Sequence, residues 1–159
     1  MDSLTKLTSL NAAGCSELHN FPGLSKLIAL EKLSLGGKLK QLPSLDALTK
    51  LTSLDAAGCH ELQSLPELDK LPSLRHVSFS VCPNKSVEIL AIHCDLESIN
   101  LEGCGKIESF EPIRKHLDSL KLLSIYGCEF NDLPIELSGS HDNRNVIQQV
   151  RAHLSLIHI

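Results

Sequence analysis

A chain of 159 residues is one domain of ordinary size, and its 42% apolar content is enough for a core. Aromatics make up only 3%, with no Trp and one Tyr against 31 leucines, so a narrow core filled by Leu is favoured over a globule built on large rings. The formal net charge of −4, from 19 acidic and 15 basic residues, weighs against a nucleic-acid binder, which needs a basic face to neutralise phosphates. No apolar run approaches the length of about 20 residues that spans a bilayer. Met1-Asp2-Ser3 leads directly into patterned sequence, so no secretory leader is expected. The expected setting is therefore cytoplasmic and reducing, with no membrane partner.

In chain order, one short phrase returns six times. It reads Leu10-x-Ala12-x-x-Cys15, Leu33-x-Leu35-x-x-Lys38, Leu54-x-Ala56-x-x-Cys59, Val77-x-Phe79-x-x-Cys82, Ile99-x-Leu101-x-x-Cys104 and Leu123-x-Ile125-x-x-Cys128. The anchors step by 23, 21, 23, 22 and 24 residues. A fixed period in this range is the signature of a solenoid. The apolar pair at period 2 puts both side chains on one face of a short strand. Leucines three apart then wind the chain back around one core. Strands about 4.8 Å apart would give a sheet roughly 24 Å long. Pro22, Pro43, Pro66 and Pro134 fall in the return arm, where no ladder donor is needed.

The unit L-x-x-L-x-L-x-x-C-x-x-L-x-x-L-P-x-L-x-x-L, over about residues 4–137, resembles the leucine-rich repeat family. The runs Ala-Ala-Gly-Cys-Ser-Glu-Leu (12–18), Ala-Ala-Gly-Cys-His-Glu-Leu (56–62) and Leu-Glu-Gly-Cys-Gly-Lys-Ile (101–107) are similar to the intracellular repeats of plant-type disease-resistance receptors. The resemblance implies an α/β solenoid. It would be a curved stack of about six repeats, with a parallel β-sheet on the concave face, irregular or 3-10 turns on the convex side and a short C-terminal helix.

Two repeats depart from the pattern. The second is about two residues short after Lys38, and the fourth return, Pro83 to Leu90, lacks Leu-Pro. A bulge or disturbed curvature is expected near residues 83–95. Leu4 and Leu7 begin without a polar cap, so the chain is expected to be a fragment or to be covered at that end by a partner. After residue 137 the repeat stops. Ser138 to Asn143 reads as a polar turn, and Val146, Ile147, Val150 and Leu154 follow helical spacing. Residues 138–159 are read as a capping helix or linker with an irregular tail.

Five cysteines carry the repeat spacing rather than the close pairs of a zinc site, so no metal or other cofactor is expected. Cys15, Cys59, Cys82, Cys104 and Cys128 are expected to form a structural ladder. Each would turn inward and give its weak S–H donor to a backbone carbonyl of the neighbouring turn, remaining a free thiol. Cys94 is out of register beside His93, and adjacent residues of an extended segment point apart, so a nucleophilic pair is not expected. The eight histidines are scattered. No phosphate loop, nucleophile elbow or metalloprotease motif is present, and Gly36-Gly37 reads as a turn. No small-molecule substrate is evident.

Functional candidates remain on the outward side of each strand. Asn11, Ser34, Asp55, Ser78, Asn100 and Ser124 form the middle row. One row toward the C-terminal end lie Ala13, Gly36, Ala57, Ser80, Glu102 and Tyr126. One row toward the N-terminal end lie Ser9, Lys32, Ser53, His76, Ser98 and Leu122. Small polar residues dominate the first half and read as a solvated surface. The second half adds bulk and charge, the side-chain types of binding hot spots. Partner contact is therefore assigned to His76, Ser78, Asn100, Glu102, Leu122, Ser124 and Tyr126. The expected function is a non-catalytic module that binds a protein partner through the concave face, within an intracellular receptor or signalling protein. The alternative is the targeting region of an enzyme, a GTPase or ubiquitin ligase, whose catalytic domain lies outside this chain.

Overall fold

The computed structural model describes residues 2–63, 68–82 and 95–132. Six short strands form one parallel sheet: β1 (Ser9–Ala12), β2 (Lys32–Leu35), β3 (Ser53–Asp55), β4 (His76–Ser78), β5 (Ser98–Asn100) and β7 (Leu122–Ser124). They lie side by side in that order, as about five turns of a stack in which each strand pairs with the next repeat's strand. The register aligns the six anchors, Leu10 with Leu33, Leu54, Val77, Ile99 and Leu123, in a single inward row. All but Leu10, at the open edge, are buried. Alternation along each strand is the reason, because a residue beside an inward leucine must face outward.

The return arms follow from leucine at every third residue. Leu24, Leu27 and Leu30 recur as Leu45, Leu48 and Leu51, and again as Leu68, Leu71 and Leu74; all nine are buried. In each set the later N–H donates to the carbonyl three residues back: Leu27 to Leu24 and Leu30 to Leu27, then Leu48 to Leu45 and Leu51 to Leu48, then Leu71 to Leu68 and Leu74 to Leu71. A period of three matches the 3-10 turn, which sets every third side chain on the core. The fifth return differs. Its buried Ile113, Leu117 and Leu120 are spaced by four and then three, and the chain forms a short α-helix, α1 (Glu111–Arg114). There the Arg114 N–H donates to the Phe110 carbonyl, four residues back.

A second, two-stranded parallel sheet was not legible in the repeat. It joins β6 (Gly105–Ile107) to β8 (Cys128–Phe130), just beyond the turns that follow β5 and β7. Phe110 is buried beneath it, its ring edge-on to Phe130 with centroids 5.4 Å apart at 87°. Asp132, just after β8, ties this sheet to the start of α1. Its carboxylate accepts the Phe110 N–H at 2.6 Å and the Ser109 hydroxyl at 2.7 Å, just ahead of α1. Burial alone would raise the Asp132 pKa, but the bonds from Ser109 and Phe110 prevail and hold it below the usual carboxylate value. A depressed folded pKa means stability that is present above the unfolded value and lost as pH falls through the folded one. In denaturation at several pH values, Asp132→Ala is therefore expected to be less stable than wild type at pH 7. The gap should narrow as the pH is taken below 3.8, the ordinary value for this group. A gap independent of pH would show that the carboxylate charge plays no part.

Several expectations fall outside the described residues. They are the irregular fourth return with Cys94, the prolines at 66 and 134, and the C-terminal helix and tail of residues 138–159.

Candidate functional site

The outward rows are set by the same register. His76 stands beside Ser98 and then Leu122, and Ser78 beside Asn100 and then Ser124. Glu102 and Tyr126 follow two residues after Asn100 and Ser124, where the strands end. The backbone links these two ends, because the Gly103 N–H donates to the Tyr126 carbonyl at 2.8 Å. Leu122 is 49% exposed and Tyr126 65%, and His76 and Glu102 are also exposed. Val81, 49% exposed, stands one turn upstream at the same rim. Its N–H donates to the Glu102 carbonyl at 2.7 Å. Three of the exposed large apolar side chains thus collect in the second half of the sheet. Beside them Lys121 pairs with Glu97 at 2.7 Å, and that hydrogen bond holds the Glu97 carboxyl below its usual range.

Three members of the middle row do more than face solvent. Asn100 Oδ1 accepts the Glu102 N–H at 3.0 Å, and Asp55 Oδ1 accepts the Ala57 N–H at 2.9 Å. Asn11 does the same for Ala13 at 3.0 Å. Each is an Asx turn that ends a strand, supplying an acceptor where the sheet no longer does. In this respect the row is structural, and the signal was present in the sequence as Asx at one repeat position in three of six copies.

Ser124 departs from its expected place. It is only 8% exposed, and its hydroxyl donates to the Glu102 carboxylate. The side chain of Glu102, just after β5, thus lies against Ser124 on the neighbouring strand.

The ladder cysteines show the inward donor geometry in three copies. Cys82 Sγ donates to the Ala56 carbonyl at 3.2 Å, Cys104 to Phe79 at 3.0 Å and Cys128 to Leu101 at 2.7 Å. Each acceptor belongs to the preceding turn. Cys59 is also buried. Cys15 corrects the expectation: it is exposed, in the first of the described turns. Lys38, the substitute in the second copy, points out and pairs with Glu17 at 2.9 Å, while Leu39 takes the core position directly after it. The five described cysteines are free thiols.

A hollow lies between the first return arms, against His19, Phe21, Pro22, Lys40, Leu42 and Pro43. Among the described residues no group of three or more His, Cys, Asp or Glu could hold a metal ion. No helix among them is long and apolar enough to cross a membrane.

Comparison with solved structures settles the architecture. The functional domain of InlJ from Listeria monocytogenes, which includes a cysteine ladder, superposes with a TM-score of 0.60 at 18% identity over 86% of this chain. The chain folds as a leucine-rich-repeat solenoid. A leucine-rich-repeat protein of Leptospira interrogans superposes on the solenoid with a TM-score of 0.50 at 23% identity over 74% of it. The solenoid covers 38% and 37% of the lengths of these two chains. No family model matches the sequence, and no curated protein does.

Proposed function

We propose that this solenoid is a non-catalytic protein-interaction module that binds a protein partner through the outward, concave face of its sheet. The observation that carries the reading is the concentration of exposed Leu122 and Tyr126 beside the charged Glu102 and His76, on a sheet whose first half presents mostly small polar groups. Aromatic anchors flanked by charge are the usual centres of binding energy. The paired strands hold these side chains on a fixed grid, so little ordering entropy is lost on binding. The partner contacts are assigned to His76, Ser78, Asn100, Glu102, Leu122 and Tyr126. The Gly-Cys phrasing and the free thiols support placement in a reducing, cytoplasmic setting, within an intracellular receptor or signalling protein of the plant disease-resistance type.

The test is affinity capture by the full chain, with quantitative comparison of three baits: wild type, Glu102→Lys with Tyr126→Ala, and Lys50→Glu on a return arm. Partners of the face should fall by about tenfold or more with the double variant and stay level with the control. Equal retention on all three baits would overturn the assignment of the face.

A further inference from the structure

Three lysines of this stack meet an acid one repeat away. Lys38 pairs with Glu17 at 2.9 Å, Lys70 with Asp46 at 2.7 Å and Lys121 with Glu97 at 2.7 Å. Among the described residues no acid pairs with Lys40. The Gln63 N–H donates to the Lys40 carbonyl at 2.9 Å, which sets Gln63 beside it in the next repeat. One repeat back, at the offset of 21 that joins Glu17 to Lys38, stands His19. At the same offset Asn20 matches Gln41, Phe21 matches Leu42 and Pro22 matches Pro43. Two consecutive turns thus repeat one motif: a basic residue, an amide, an apolar residue and proline.

These residues line the hollow between the first return arms, whose volume is about 670 Å³. Phe21 and Leu42, half-buried against the core, form its apolar wall. His19, Lys40 and Gln63 supply a row of donors across three turns. No acidic residue lines it. Glu17 and Glu61, acids of the same turns, line a separate hollow with Gly14, Gly37 and Gly58. Among the described residues, the polar side chains of this lining make no hydrogen bond or ion pair within the fold.

We propose that this hollow is a binding site, separate from the sheet face, for an extended peptide segment of a partner protein that carries an acidic side chain next to an apolar one. Charge decides the polar half. The chain carries a net −4, yet this lining holds a lysine and a histidine and no acid. The Lys40 ammonium has only donors to offer and an ionised carboxylate only acceptors, so the two are complementary. Gln41 and Gln63 carry amide donors beside it. Shape decides the other half. The volume falls in the range of roughly 300–1,000 Å³ of ordinary ligand sites, and Phe21, Leu42 and Pro43 offer cover for an apolar side chain. An inorganic anion would use the donors and leave the apolar wall wet, whereas a peptide uses both. Pro22 and Pro43 restrict the backbone of the wall, so little ordering is needed on binding.

The test selects a random peptide display library on the full chain and, in parallel, on Lys40→Glu. Wild type should enrich sequences with Asp or Glu beside an apolar residue, and Lys40→Glu should not. The best such peptide is then synthesised with a fluorescent label and titrated by anisotropy. Its affinity should fall about tenfold or more with Lys40→Glu, and by a similar factor when the acid of the peptide is replaced by its amide. Lys50→Glu, the same charge reversal on a return arm outside the hollow, should bind as wild type does. The proposal is overturned if no acidic sequence is enriched, if the peptide binds Lys40→Glu as tightly as wild type, or if Lys50→Glu weakens it equally. The amide version of the peptide reads the same contact on the wild-type chain, so the answer does not depend on how the variant folds.

Discussion

Gly37→Ala is expected to lower the unfolding free energy by about 3 kcal/mol, read by urea denaturation. Two effects add. Gly37 has φ 93°, in the left-handed region, where a Cβ costs about 1–2 kcal/mol. A Cβ there would also lie 2.3 Å from the Cys15 carbonyl oxygen, and 3.1 Å from the Leu18 nitrogen. Those neighbours are backbone and cannot swing aside, so the clash adds the cost of overpacking, typically about 1–3 kcal/mol. The adjacent Gly36 is as tight, with a Cβ falling 2.2 Å from the Ala13 carbonyl oxygen. The cause is the short second repeat. With two residues fewer after Lys38, its turn is drawn onto the turn of the first repeat, and only Gly-Gly leaves room. Gly58→Ala is the matched comparison. It shares the left-handed backbone, at φ 74°, but the nearest atom to its Cβ is 3.9 Å away on the His60 side chain. It should cost only about 1 kcal/mol. Val81 is the converse, a β-branched residue at φ 58° where the aligned turns have glycine, and Val81→Gly should gain about 1 kcal/mol. Equal losses for Gly37→Ala and Gly58→Ala would show that the first two turns do not press together.

Phe110→Ala is expected to cost about 4 kcal/mol, among the largest single losses available in this chain. Phe110 is 0% exposed and is one of the two large aromatic rings that are fully buried. It sits between α1 and the two-stranded sheet, so truncation opens a cavity that short, hydrogen-bonded elements cannot collapse to fill. Its edge-on contact with Phe130 adds about 0.5–1.5 kcal/mol beyond buried area. A double-mutant cycle of Phe110→Ala and Phe130→Ala should recover a coupling of about 1 kcal/mol. Phe110→Leu keeps most of the volume and should cost less than about 1.5 kcal/mol. A loss below about 1 kcal/mol for Phe110→Ala would mean that this end of the fold does not unfold with the sheet.

Much of the molecule was readable from spacing. The anchors at Leu10, Leu33, Leu54, Val77, Ile99 and Leu123 fell into register, and with them the outward rows. Both follow from local rules, the period-2 alternation of a strand and the near-constant length of a repeat. The triplets of leucine likewise announced the tight return turns. What was missed has another character. Ser124 was counted as outward because its strand parity is outward, but Glu102, one repeat upstream, lies over it. Cys15 was counted as inward because its phrase matches the others, but burial depends on the turns packed against it, and Cys15 is exposed. The second sheet, α1 and the Asp132 cap arise where the fifth repeat lengthens, and no repeat template contains them.

Period and parity thus determined the sheet, its register and which side of each strand meets the core, since those depend on residues close in sequence. Whether two neighbouring turns touch depends on the difference between their lengths. That difference is expressed only once they are stacked. It is what presses the backbone at Gly36 and Gly37 against the first turn, where a Cβ would fall 2.2 and 2.3 Å from the carbonyl oxygens of Ala13 and Cys15.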